Sequence, residues 1–96
     1  MRIAVIGGTG TVGHHTVEAL ARGGHHPLVL SRSRGVDVTT GQGLDEALAG
    51  VDTVVDVTSV QVMDADATPR LFATGTRNIL AAEQRAGVRH HVLLSI

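Results

Sequence analysis

Near the start of the chain, Gly7-Gly8-Thr9-Gly10-Thr11-Val12-Gly13 sets three glycines in a G-x-x-G-x-x-G frame. The frame follows an apolar run, Ile3-Ala4-Val5-Ile6, and opens a stretch with helical periodicity over residues 12–22. Few folds accept such a junction, because each glycine answers a separate steric demand. Gly7 lets the chain turn sharply off a strand, Gly10 lets backbone approach a ligand with no Cβ between, and Gly13 lets the helix lie close to a sheet. Free N–H groups and the positive end of the helix dipole then converge on one point, which suits a pyrophosphate. Gly7, Thr9, Gly10, Thr11, Val12 and Gly13 are therefore the candidate residues for holding a dinucleotide.

The rest of the chain supplies the matching scaffold. Pro27-Leu28-Val29-Leu30, Thr53-Val54-Val55-Asp56-Val57 and Val92-Leu93-Leu94 are short, rich in β-branched residues and almost uninterrupted in apolarity. Strands buried on both faces look like this. Val36-Asp37-Val38-Thr39 alternates apolar and polar, which predicts a half-exposed strand nearer a sheet edge. Between these runs lie helical stretches that end on glycine, at Gly23-Gly24, Gly50 and Gly87. The first helix is expected to turn Val12, Thr16, Val17, Leu20 and Ala21 to the core, and a short one covers 44–49. The longest has Thr68 as N-cap, Pro69 where its missing N–H costs nothing, and Phe72, Gly75, Ile79, Ala82 and Ala86 at helical spacing. Strict alternation of strand and helix predicts right-handed crossovers and an α/β Rossmann-type doubly wound parallel sheet of five strands, order 3-2-1-4-5. Ligands bind such sheets at the carboxyl ends of the strands, where strand order reverses. The expectation is one domain over 1–96, the N-terminal part of a longer one truncated after its fifth strand, with apolar surface left uncovered there.

Composition removes several chemistries. The chain has no Cys, Lys, Tyr or Trp, so thiolate metal sites, Schiff bases, a Gly-Lys-Ser/Thr phosphate loop and an internal Tyr-x-x-x-Lys proton-transfer pair are all excluded within it. Eight arginines against nine acids give a net charge of −1 with no long basic stripe, which disfavours nucleic acid as a partner. No apolar run approaches the roughly 20 residues of a membrane span, and the first is too short for a signal-peptide core, so the expected location is the cytoplasm.

The second strand leads into Ser31-Arg32-Ser33-Arg34, and no acid appears there until Asp37. An acid at this place would bond the ribose hydroxyls of NAD, whereas arginine suits the 2′-phosphate of NADP. Arg32 is the first candidate, supported by Ser31, Ser33 and Arg34 through charge-assisted hydrogen bonds. NADP is the expected cofactor, with NAD as the alternative.

The glycine frame, the Ser-Arg-Ser, Asp37-Val38, Gly50-Val51-Asp52-Thr53-Val54-Val55, Thr76-Arg77-Asn78-Ile79-Leu80 and Gly87-Val88-Arg89-His90-His91-Val92 together resemble extended and atypical short-chain dehydrogenases. The NmrA-like, NAD(P)H-binding branch looks nearest. The resemblance implies that Asp37 and Val38 meet adenine, that Val57, Thr58 and Ser59 flank the cofactor, and that Ser95 lies where substrate and nicotinamide meet. Val36 departs from the glycine that commonly precedes this Asp, and the family's Tyr-x-x-x-Lys, where it occurs, lies beyond this serine. The resemblance thus implies an NADP(H)-binding oxidoreductase acting on an unknown small molecule, with a non-catalytic NADP(H)-sensing regulator or an inactive fragment as alternatives. Oligomeric state is left open.

The remaining polar clusters have simpler readings. Six histidines occur as three adjacent pairs, 14–15, 25–26 and 90–91, and neighbouring side chains diverge on helix and strand alike, so no metal site is expected. Asp56, Asp64 and Asp66 invite an acid–base reading. A solvated loop before the helix at Pro69 explains the last two as well, although the loop over 61–67 follows a strand at the cofactor end and is a candidate for facing substrate.

Overall fold

The computed structural model describes residues 2–7, 11–57 and 69–93. Strand β1 (Ile3–Ile6) leads to helix α1 (Thr11–Arg22), then β2 (Leu28–Leu30), a 3-10 turn (Arg32–Arg34), α2 (Leu44–Leu48), β3 (Thr53–Asp56), α3 (Pro69–Ala86) and β4 (His90–Leu93). All pairings are parallel and the order is β2-β1-β3-β4. This is the Rossmann-type arrangement read from the alternation of strands and helices. Right-handed crossovers place α1 on one face of the sheet and α2 with α3 on the other.

Among the described residues the sheet has four strands rather than the expected five, because residues 36–39 do not extend. Asp37 curls the chain on itself instead. Its Oδ1 accepts from the Thr39 N–H at 3.0 Å and the Thr39 hydroxyl at 2.6 Å, and the Asp37 carbonyl accepts from the Gly41 N–H at 2.8 Å. The Asp37 N–H donates to the Gln42 carbonyl in an isolated antiparallel bridge. A short acidic side chain bonding its own backbone two residues on competes directly with a sheet ladder, and here the local bonds win. The remaining four strands keep the order expected of them.

One layer of the core is built from Ala4, Ile6, Leu30 and Val54 against Leu44 and Leu48 of α2 and Ile79 and Ala82 of α3. The register explains the set: Ala4 lies beside Val54, and Ile6 beside Leu30, so these side chains share a face. Gly75, Ile79 and Ala82 of the expected α3 stripe are buried and Ala86 is half-buried. In α1, Thr16, Val17 and Leu20 are half-buried, but Ala21 is exposed, contrary to expectation. The last strand begins two residues earlier than its apolar run and is not covered on both faces: Val92 and Leu93 are 46% and 47% exposed. The amino end of the sheet is tied off by Asp52, whose carboxylate accepts from the Arg2 N–H at 2.8 Å and whose carbonyl accepts from the N–H groups of Arg89 and His90.

Candidate functional site at the carboxyl ends of the strands

The chain leaves β1 toward β2 on one side and returns beyond β1 to form β3 on the other, so strand order reverses between β1 and β3. At this switch point Gly7 is buried with φ 86°, a left-handed conformation that a residue with a Cβ adopts only at a cost. The Gly7 N–H donates to the Leu30 carbonyl at 3.3 Å, and the Val57 N–H donates to the Ile6 carbonyl at 3.0 Å. Three strand ends are thereby laced together one residue past the sheet. Helix α1 starts at Thr11, with Gly13 buried in its first turn. Gly7 thus makes the sharp turn off β1, and Gly13 is buried at the start of α1. Thr9, Gly10, Thr58, Ser59 and Ser95 lie outside the described residues, as do Asp64 and Asp66; Thr11 and Val12 are described as the first residues of α1.

Beside this junction the chain following β2 folds into a compact loop. Ser31 is half-buried and its hydroxyl lies 2.9 Å from that of Ser33, while its carbonyl accepts from the N–H groups of Arg34 at 3.0 Å and Val36 at 3.1 Å. Arg32 opens the 3-10 turn, and Arg34 closes it with an exposed side chain that has no hydrogen-bond or ion-pair partner among the described residues. Val36 is buried and anchors the loop to the core. Asp37 and Val38 follow, both half-buried, with the Asp37 carboxylate fixed by Thr39 and the Val38 N–H making no hydrogen bond among the described residues. An acceptor and an adjacent donor that has no partner among the described residues match the N6–H and N1 pair on adenine's Watson–Crick edge. The residues present therefore fit the adenosine half of a dinucleotide.

Helix α3 holds this loop from behind. Asn78 Nδ2 donates to the Val38 carbonyl at 2.8 Å and to the Thr39 carbonyl at 3.2 Å. One turn earlier Gly75 packs on Val38, where an added Cβ would stand 3.2 Å from Val38 Cγ2. Sequence reasoning placed Gly75 only in an apolar stripe and gave Asn78 no role. The available signal was a Gly and an Asn, both poor helix formers, one turn apart inside a long helix.

The other sequence candidates are dispersed. His14 and His15 are exposed on α1, His14 pairing with Glu18 at 3.0 Å, and His26 and His90 are exposed elsewhere. His91 instead faces α3, its Nδ1 lying 2.5 Å from Oε1 of the buried Glu83. Asp56 is fully buried at the end of β3 and has interactions within the protein. Among the described residues no helix is long and apolar enough to cross a membrane.

A parallel sheet in this order, with a glycine turn and a helix start at its switch point, is the architecture of the Rossmann-type dinucleotide-binding domains. Within that class the chain belongs to the NAD dependent epimerase/dehydratase family, part of the extended short-chain dehydrogenases, whose model matches residues 3–95. Among curated proteins it is 29% identical to the photosystem II assembly factor Ycf39 of a Synechocystis species, over 100% of this chain and 34% of that protein. Among solved structures it resembles a UDP-N-acetylglucosamine 4-epimerase from Bacillus cereus, with TM-score 0.79 and 27% identity over 97% of this chain and 37% of that one. It also resembles a short-chain dehydrogenase/reductase superfamily protein from Agrobacterium tumefaciens with bound NAD, with TM-score 0.72 and 30% identity over 97% of this chain and 32% of that one. The chain thus spans about a third of the length of each of these three proteins.

Proposed function

We propose that residues 1–96 form the NADP(H)-binding unit of a short-chain dehydrogenase-type oxidoreductase, in its NmrA-like branch, that acts on a small molecule. One observation carries the reading. The buried left-handed turn at Gly7 stands at the β1/β3 switch point beside a loop bearing Arg32 and Arg34, with no acid before Asp37. The glycine turn and the start of α1 hold the pyrophosphate, with Gly7, Thr9, Gly10, Thr11, Val12 and Gly13 around it. Ser31, Arg32 and Arg34 bind the 2′-phosphate, Asp37 and Val38 meet adenine, and Val57, Thr58 and Ser59 flank the cofactor. Ser95 stands at the reacting end. NADP(H), when bound, supplies or accepts the hydride, and the protein's own groups bind and orient. NAD is the competing cofactor, and it is present in one of the similar structures. Sugar-like small molecules are a reasonable substrate class, since another similar structure is that of a UDP-N-acetylglucosamine epimerase.

A second reading is a non-catalytic NADP(H)-binding regulator. It is favoured by the relative matched along the whole chain, which is named as an assembly factor rather than as an enzyme.

Titration followed by NADPH fluorescence tests the binding claim, with 2′,5′-ADP as competitor. Saturable binding displaced by the competitor is expected, and absence of binding would overturn the proposal. Steady-state NADPH consumption with quinone, carbonyl and nucleotide-sugar substrates then separates the two readings.

A further inference from the structure

We infer that Asn78 is a positioning residue for adenine recognition, acting from α3 through the loop that carries Asp37 and Val38. The inference rests on the cofactor reading above and adds a residue and a specificity to it.

The loop over residues 36–39 is not part of the sheet, so no strand ladder fixes its height above the cofactor end. Val36 is anchored in the core and Asp37 is bonded to Gly41 and Gln42, but Val38 and Thr39 are held by α3. Asn78 Nδ2 reaches two successive carbonyls, of Val38 at 2.8 Å and Thr39 at 3.2 Å, across 40 and 39 positions of sequence. Thr39 in turn holds the Asp37 carboxylate through its N–H and its hydroxyl. The path from Asn78 to the Asp37 carboxylate is therefore one continuous set of short hydrogen bonds. The same amide fixes the Val38 carbonyl, while the Val38 N–H, in the preceding peptide unit, has no partner among the described residues. Gly75 makes the approach possible, since a Cβ there would press Val38 at 3.2 Å.

The chemistry that such a fixed pair selects is narrow. A carboxylate acceptor next to an N–H donor complements adenine, whose exocyclic amine donates and whose N1 accepts. Hypoxanthine presents the reverse at both atoms, a carbonyl acceptor and an N1–H donor, and so meets the pair acceptor to acceptor and donor to donor. A rigid loop discriminates strongly between the two bases, and a loosened loop adjusts to either.

The test compares binding of NADPH with binding of its analogue in which hypoxanthine replaces adenine. The unmodified protein is expected to prefer adenine by about ten-fold or more, two hydrogen bonds being gained or lost together. Asn78→Leu keeps the side-chain volume and removes the donor, and the preference should fall by about three-fold or more. Thr39→Val removes only the hydroxyl that holds Asp37 and should narrow the preference in the same direction, which keeps the inference testable if the Asn78 variant does not fold. Equal loss of affinity for both nucleotides, with the preference retained in either folded variant, would show a merely structural role and overturn the inference alone. Failure of the unmodified protein to bind NADPH would overturn the cofactor reading and the inference with it.

Discussion

The Val57 N–H donates to the Ile6 carbonyl at 3.0 Å, extending the β1–β3 pairing one residue beyond the last strand pair, Ile6 with Asp56. That bond closes the sheet on the side where strand order reverses, while Gly7 closes the other side against Leu30. The cofactor end is thus built by backbone bonds whose positions follow from strand register, and side chains contribute specificity on top of it.

Gly7 is the residue at which this end is least tolerant. Gly7 is buried with φ 86°, so Gly7→Ala should cost about 1–2 kcal/mol of stability from backbone conformation alone, and Gly7→Val more. Denaturant unfolding of the two variants should rank them in that order, with NADPH affinity lost in both.

Gly43 precedes α2 with φ 80°, and a Cβ there would collide with the Gly35 carbonyl oxygen. Gly43→Ala therefore carries the left-handed penalty and an overpacking cost together, about 2–5 kcal/mol in sum. Because the displaced backbone belongs to the loop between Ser31 and Asp37, the melting temperature and the affinity for the adenosine half should fall together.

Between α3 and β4, Glu83 and His91 pair a buried carboxylate with an imidazole, at 2.5 Å. His91→Ala strands Glu83, whose side chain is only 7% exposed, and should destabilise by about 1–3 kcal/mol. Glu83→Gln keeps a hydrogen-bonding group at the same place and removes the charge, so it should cost less. Thermal melts of the two variants decide the order; an equal or larger loss for Glu83→Gln would contradict the pairing as the stabilising contact.

Legibility in the sequence follows the range of the forces involved. The strands, α1, α2 and α3 were visible because each depends on local periodicity and on glycine or proline at its ends, as at Pro69 and Gly87. Residues 36–39 misled because the period-two pattern of Val36 and Val38 is shared by a strand and by a turn that buries one valine and half-buries the other. Gly35, Gly41 and Gly43 around it carried the better signal, since three glycines in nine positions suit a curled loop more than a strand. The grip of Asn78 on Val38 and Thr39 was not legible, being a contact between elements distant in sequence. The exposure of Val92 and Leu93 falls on the last strand, where uncovered apolar surface was expected.

The central claim is cofactor choice at the loop after β2, and calorimetric titration of NADPH and NADH measures it most directly. Hydrogen bonds to a charged group contribute about 1.5–3 kcal/mol, so one Arg32 contact with the 2′-phosphate predicts roughly ten-fold to a hundred-fold tighter NADPH binding. Arg32→Asp should shrink or reverse that preference by adding repulsion toward the phosphate and an acceptor for the ribose hydroxyls, softened where Arg34 shares the contact. Tighter binding of NADH than of NADPH by the unmodified protein would contradict the assignment of Arg32 and leave the Gly7 turn as the surviving part of the account.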